Sequence, residues 1–175
     1  MFEKHPNRLW TVRAKKPGQI WVGDVTYLKV EGRWRYLAVV LDQYSRRLVG
    51  WSMGRVKGGA LTRSAFNRAM RHAPPGGRLV FHSDRGSEYA GEALGRRLRE
   101  LGVLQSMTRG GTPSDNAHAE SFFHSLKAEM VHGARFKDEG ELRHEIRRYV
   151  RFYNHQRLHS SLGYLSPLSF ERRAA

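Results

Sequence analysis

Residues 20–42 read IWVGDVTYLKV, EG, RWRYLAVVLD, and this stretch decides the architecture. Ile20 to Val30 is rich in β-branched and aromatic residues, Glu31-Gly32 has the character of a tight turn, and Arg33 to Asp42 is strand-like again. A hairpin is the natural reading. RRLVGWSM, from Arg46 to Met53, adds a third strand after Gln43-Tyr44-Ser45. The three form an antiparallel meander with Asp24 near the middle of its first strand.

Working outward, GALTRSAFNRAMRH (residues 59–72) places Leu61, Ala65, Phe66, Ala69 and Met70 on one helical face, and Pro74-Pro75-Gly76-Gly77 ends the pattern. RLVFHSD (residues 78–84) is a short apolar strand that stops at an acid. Helical spacing resumes from Glu88 to Leu101, with Gly102 as its C-terminal cap, and VLQSM supplies a fifth strand. The loop RGGTPSDN (residues 109–116) leads into a helix from about Ala117 to Val131, with Ser114 or Asp115 placed to cap it. A last helix is expected from Glu139 to His155, followed by a polar tail containing Pro167. The fold class that follows is α/β: a mixed five-stranded sheet flanked by helices, spanning residues 20–175, behind a basic arm or linker at residues 1–19.

The 175 residues suit one domain with a substantial core. A formal net charge of +15 draws polyanions, and nucleic acid is the expected partner. The chain has no cysteine, which excludes disulfides, thiolate zinc sites and a cysteine nucleophile. It also lacks an apolar signal core or a run of membrane-spanning length, so a soluble intracellular protein is expected.

Three carboxylates carry the chemistry. Asp24 lies in WVGDVTYL, Asp84 ends VFHSD, and Glu120 sits in the helix-like DNAHAESFFHSLKAEM, with thirty-five residues between Asp84 and Glu120. Acids within or directly after apolar strands are expensive to bury without a compensating charge, and a metal ion would supply it. Magnesium prefers hard oxygen ligands, and two ions held by three acids can activate a hydroxyl nucleophile and stabilise a leaving oxygen. Asp24 is the expected bridging ligand, with Asp84 and Glu120 each completing one coordination sphere. Lys127 lies seven residues beyond Glu120, on nearly the same helical face, where it can reach DNA; Phe123 shares that face and is expected to pack.

Other constellations are weaker. His118, His124 and His132 lack the i, i+4 spacing that puts two ligands on one helix face. Ser83, flanked by His82 and Asp84, suggests a nucleophile, but neighbours on a strand point to opposite faces. Arg55 to Arg78 and the Arg147, Arg148, Arg151 group are candidate phosphate contacts or solvated helix faces.

The blocks WVGDVTYL (21–28), YLAVVLDQYSRRLVGW (36–51), HSDRGSEY (82–89), SMTRGGTPSDNAHAESFFHSLKAE (106–129) and YNHQRLHSSLGYLSP (153–167) resemble the integrase catalytic core of bacterial insertion-sequence transposases. This is the DDE group related to retroviral integrases, and the insertion-sequence-three family is most similar. The resemblance implies a ribonuclease H-like fold, dependence on two Mg²⁺ or Mn²⁺ ions, and cleavage then joining of transposon ends. It places the catalytic, metal-binding acids on Asp24, Asp84 and Glu120 and the helix lysine on Lys127. Asp42 also matches a family position and is read as structural support at its strand end. Arg109 and Arg157 are the arginines singled out for DNA contact.

The implied partners are double-stranded DNA, as transposon ends and target, and further subunits. These would be copies of the chain or a transposase protein bearing a helix-turn-helix, since the residues ahead of Ile20 are too few for that module. The implied setting is the bacterial cytoplasm and nucleoid. Two other readings share the fold: a catalytically incomplete, DNA-binding or inhibitory truncated transposase, and a ribonuclease H-like nuclease. The second is disfavoured because Gly54 to Phe81 lacks the acid such nucleases draw from the first helix.

Overall fold

In the computed structural model, which describes residues 6–9, 11–73, 77–108 and 116–174, the meander forms as its residues dictate. Strand β1 (Ile20–Val30) pairs antiparallel with β2 (Arg33–Asp42), and β2 with β3 (Leu48–Gly54). The β1–β2 turn has positive φ at both Glu31 and Gly32, 49° and 74°, the two-residue geometry whose twist matches that of the flanking strands. Helix α1 (Gly59–Ala69) continues into a 3-10 turn at Met70–His72. The short strand β4 (Val80–Ser83) then lies parallel to β1, and β5 (Leu104–Met107) parallel to β4. The sheet order is β3-β2-β1-β4-β5.

Period-two alternation sends the strands' side chains into two separate cores. Leu37, Val39 and Leu41 of β2 join Val22 and Leu28 against helices α4 (Ala117–Leu126) and α5 (Glu139–His155). Ala38 and Val40 face the other way, with Trp21 and Phe81, onto α1 and Leu94 and Leu98 of α3 (Glu92–Glu100). Gly50 of β3 exists for closeness: a Cβ there would stand 2.4 Å from the Ala65 carbonyl oxygen and 2.7 Å from the Ala69 nitrogen, both α1 backbone.

Asp138 caps α5 by accepting from the Glu141 N–H at 2.8 Å. Near the other end of α5, Asn154 accepts from Leu48 N–H and donates to Leu48 C=O, both at 2.9 Å, fastening the helix to edge strand β3.

Four details differ from the sequence expectation. The helix expected from Glu88 to Leu101 is two pieces, α2 (Ser87–Ala90) and α3, because Gly91 takes an extended conformation between them. Helix α4 turns into a π-helical segment at Lys127–Val131. The polar tail contains a helix, α6 (Pro167–Ala174), with Pro167 at its first position, where a missing N–H costs nothing. Within the basic arm, residues 6–9 include backbone that lies along β5: Met107 N–H donates to Pro6 C=O at 3.4 Å and Arg8 N–H to Ser106 Oγ at 2.9 Å. The expected caps Ser114 and Asp115 lie outside the described residues.

Candidate active site

The β1–β4 register, Ile20 opposite Val80 and Val22 opposite His82, brings Asp24 beside Asp84 when continued by two residues. Adjacent strands lie about 4.8 Å apart. Asp24 shares its strand face with Val22 and Leu28, which pack against α4, the helix that carries Glu120. Ala119, Phe122 and Phe123 are buried and anchor α4, leaving Glu120 exposed between them. On the opposite side of β1, Gly23 admits no side chain, because a Cβ would meet the Phe81 ring at 2.5 Å and the Tyr89 ring at 3.1 Å.

The electrostatics tie these acids together. Burial pushes the Asp24 carboxyl up to about 6; the Val25 N–H, donating to Oδ1 at 2.7 Å, opposes this, while the charges of Asp84 and Glu120 raise it further. Asp84 Oδ1 accepts from Gly86 N–H at 3.0 Å. The Tyr89 hydroxyl, wholly enclosed, is held well above its ordinary range by burial and then by Asp24, Asp84 and Glu88.

Two charged groups that sequence reasoning missed stand at this site. Glu88 is buried and pairs with Lys57 at 2.8 Å, and Lys57 Nζ also feels Asp84 and Asp24. The Glu88 backbone oxygen accepts from Thr62 Oγ1 at 2.7 Å, locking α2 to α1. The available signal was spacing: Glu88 follows Asp84 by four residues within HSDRGSEY. Lys57, in a loop ahead of α1, gave no local signal.

Lys127 reaches to the β1–β2 hairpin, its Nζ 4.9 Å from the Tyr27 ring centre. Tyr27 and Trp34 form an exposed edge-to-face pair 5.1 Å apart, with Lys29 Nζ 5.4 Å from the Trp34 ring. Phe123 packs in the core, as expected. Arg109 lies outside the described residues. Arg157 is engaged within the chain: it pairs with Glu129 at 2.8 Å and donates to Ser125 Oγ at 3.1 Å, while Tyr149 O–H donates to the same Glu129 at 2.9 Å.

Asp42 is a structural acid. It is buried at the end of β2 and accepts from the N–H groups of Gly18 (2.6 Å), Tyr44 (2.9 Å) and Ser45 (2.9 Å) and from Trp21 Nε1 (3.2 Å). Ser83 is fully buried, and its hydroxyl donates to the Asp84 carbonyl, an arrangement unsuited to a nucleophile.

Among the described residues, no three His, Cys, Asp or Glu groups stand close enough to cage a metal ion unaided. A magnesium site does not require that, since the ion keeps several waters and takes one or two carboxylates plus substrate phosphate oxygens. Asp24 and Asp84, adjacent in register, mutually repelling and formed of hard oxygens, fit such an ion, and the charge of Glu120, on α4, also acts on Asp24.

The integrase core domain family matches residues 14–113, and a second integrase core domain family matches residues 101–167. The transposase for insertion sequence element IS904 of Lactococcus lactis subsp. lactis (strain IL1403) is 40% identical over 163 residues, covering 91% of this chain and 64% of that protein. Transposase InsF for insertion sequence IS3A of Escherichia coli (strain K12) is 38% identical over 161 residues, covering 91% of this chain and 56% of that protein. The chain therefore spans 64% and 56% of the length of these two relatives. Among solved structures, the HTLV-2 integrase catalytic core domain in complex with magnesium superposes with a TM-score of 0.71 at 18% identity, over 91% of this chain and 99% of that one. A chain in the structure of the simian T-cell lymphotropic virus intasome in complex with PP2A regulatory subunit B56 gamma gives 0.76 at 16% identity, over 98% of this chain and 59% of that one. The shared architecture is the ribonuclease H-like fold of retroviral integrase cores.

Proposed function

This chain belongs to the integrase core domain family, and from that premise we propose that it is the catalytic core of an insertion-sequence transposase, cleaving DNA at transposon ends and joining the freed 3′-hydroxyl to target DNA. What supports this reading is that Asp24 and Asp84 lie side by side in the β1–β4 register and that the charges of Asp84 and Glu120 both act on Asp24. Asp24, Asp84 and Glu120 are the groups that would hold two Mg²⁺ or Mn²⁺ ions. When bound, the ions supply acidification of a water or 3′-hydroxyl nucleophile and stabilisation of the departing oxygen.

The chain's own residues account for the rest. Asp24 and Asp84 offer carboxylates from neighbouring strands, fixed by the Val25 and Gly86 N–H groups. Because burial raises the Asp24 carboxyl to about 6 in the metal-free chain, a proton would compete with a cation for this carboxylate in mildly acidic solution. Glu120 enters from a helix anchored by Phe122 and Phe123. Lys127, on the same helix, can neutralise a phosphate next to the reacting one. The formal charge of +15 gathers duplex DNA to the surface.

Pairing two transposon ends requires further subunits, either copies of this chain or a helix-turn-helix transposase protein that supplies end recognition. Among the described residues no helix is long and apolar enough to cross a membrane, and the proposed setting is the bacterial nucleoid.

The experiment is strand transfer. A labelled duplex oligonucleotide is incubated with supercoiled plasmid in Mg²⁺, Mn²⁺ or EDTA, using wild type and Glu120→Gln. Joined product that needs both the metal and Glu120 supports the proposal. DNA binding with neither cleavage nor joining supports instead an incomplete or inhibitory transposase.

A further inference from the structure

On the edge of the sheet away from β4 and β5, basic side chains from three separate parts of the chain close into a groove of about 350 Å³. Arg47 enters it from just before β3, Arg68 and Arg71 from the end of α1 and its 3-10 turn, and Arg147 and Arg151 from α5. Trp51 of edge strand β3 contributes to the lining. Strand β2 separates β3 from β1, so this groove and the acids lie at least two strand spacings, about 10 Å, apart.

What marks the groove out is where the acids are not. Several arginines elsewhere are paired with acids: Arg35, Arg55 and Arg143 share Glu139, Arg148 pairs with Glu145, Arg96 with Glu92, and Arg157 with Glu129. No Asp or Glu lines the groove, and of its five arginines only Arg47 has a carboxylate partner among the described residues, Glu171 at 3.0 Å. Arg147 and Arg151 are four residues apart on α5, and Arg68 and Arg71 three apart on the facing element, so like charges sit on neighbouring turns on both walls. Such pairs oppose helix formation when nothing negative lies between them.

The groove is also partly ordered in advance. Arg68 Nη1 donates to the Trp51 carbonyl at 3.0 Å, and its guanidinium lies 5.9 Å from the Trp51 ring centre. A shallower cavity on the outer side of α1, lined by Arg63 and Asn67, shares Arg68 and Arg71 and extends the positive track along that helix.

We propose that this groove is a second DNA-binding face, taking the phosphodiester backbone of a duplex segment away from the scissile phosphate. The proposal rests on the DNA-processing reading for its choice of polyanion. A second copy of the chain is the poorer occupant, because a two-fold contact through this face would gather two sets of these arginines in one interface with no acid in the groove to meet them. A phosphate backbone instead supplies a row of anions matched to guanidinium donors.

The test compares two triple variants with equal loss of charge. One is Arg71→Gln/Arg147→Gln/Arg151→Gln in the groove, and the other is the control Arg33→Gln/Arg78→Gln/Arg135→Gln at exposed positions that do not line it. Binding of a fluorescein-labelled 30-base-pair duplex is followed by anisotropy across a salt series in EDTA, which removes catalysis from the readout. The groove variant is expected to bind at least tenfold more weakly, with the slope of log K against log salt flattened by about 0.9 for each phosphate the protein no longer neutralises. The control should shift affinity by no more than about threefold, as expected for loss of diffuse charge alone.

Equal losses in the two variants would reduce the groove to part of the general field and overturn the proposal. A groove variant that keeps its DNA affinity but changes mass by light scattering would also overturn it, making the groove a subunit interface. Metal-dependent strand transfer by the wild type is scored separately, so failure of the catalytic reading and failure of the groove give different results.

Discussion

Replacing Asp24 with Asn is expected to stabilise the metal-free protein at neutral and alkaline pH. Folding raises this carboxyl from 3.8 to about 6, with burial the largest cause and the charges of Asp84 and Glu120 adding to it. The folded chain therefore holds the proton longer than the unfolded chain, and wild-type stability falls as pH rises through that window. At about 1.4 kcal/mol for each pH unit of displacement, the ionised carboxylate costs about 3 kcal/mol above pH 7. Asn resembles the protonated acid in shape and still accepts the Val25 N–H, so most of that cost is recovered. For a domain of this size, a gain of 2 to 3 kcal/mol corresponds to roughly 4–12 °C in Tm.

The assay is thermal unfolding by circular dichroism in EDTA, from pH 4 to pH 8, for both proteins. The curves should differ most at pH 8 and converge near pH 4, where wild-type Asp24 is itself protonated. Millimolar Mg²⁺ at pH 8 should then narrow the gap, because a cation favours the ionised wild-type site. A variant no more stable than wild type at pH 8, or a difference of the same size at pH 4, would refute the electrostatic reasoning.

Other substitutions probe the frame. Gly50→Ala forces a Cβ against α1 backbone that cannot give way and should cost about 1–3 kcal/mol in urea unfolding, with β3 and α1 pushed apart. Asp42→Ala leaves the donors of Gly18, Trp21, Tyr44 and Ser45 without their acceptor, and at about 1–3 kcal/mol for each unmet buried group it should leave little folded protein by gel filtration. Arg157→Ala and Glu129→Ala should each lower stability by about 1–2 kcal/mol and show coupling in a double-mutant cycle. If Arg157 also contacts DNA, its variant alone will weaken duplex binding.

The most readable parts of the sequence were those whose local and long-range preferences agree. The meander was legible because β-branched strands flank a Glu31-Gly32 turn suited to positive φ, and α5 because Leu142, Ile146, Tyr149 and Tyr153 keep helical spacing behind a capping Asp138. Helix α6 was missed because its eight residues are too few to establish a helical repeat, although Ser166-Pro167 is a sound helix start. The break at Gly91 was hidden because Tyr89, Leu94 and Leu98 keep their spacing on both sides of it. Of the proposed site acids, Asp24, Asp84 and Glu120 were conspicuous in the sequence because each lies in a distinctive block. Glu88 and Lys57 could not, because their pairing arises from tertiary packing across residues far apart in the chain. The arginine groove was half visible, as two basic segments whose meeting across β3 only the fold reveals.

The most direct test of the central claim is nicking of supercoiled plasmid by wild type, Asp24→Asn, Asp84→Asn and Glu120→Gln in Mg²⁺, Mn²⁺ and EDTA, with plasmid binding measured alongside. One shared metal-dependent site predicts nicking by the wild type only, abolished by EDTA, while all four proteins still bind the plasmid. Nicking that survives any one of these three substitutions would contradict the account.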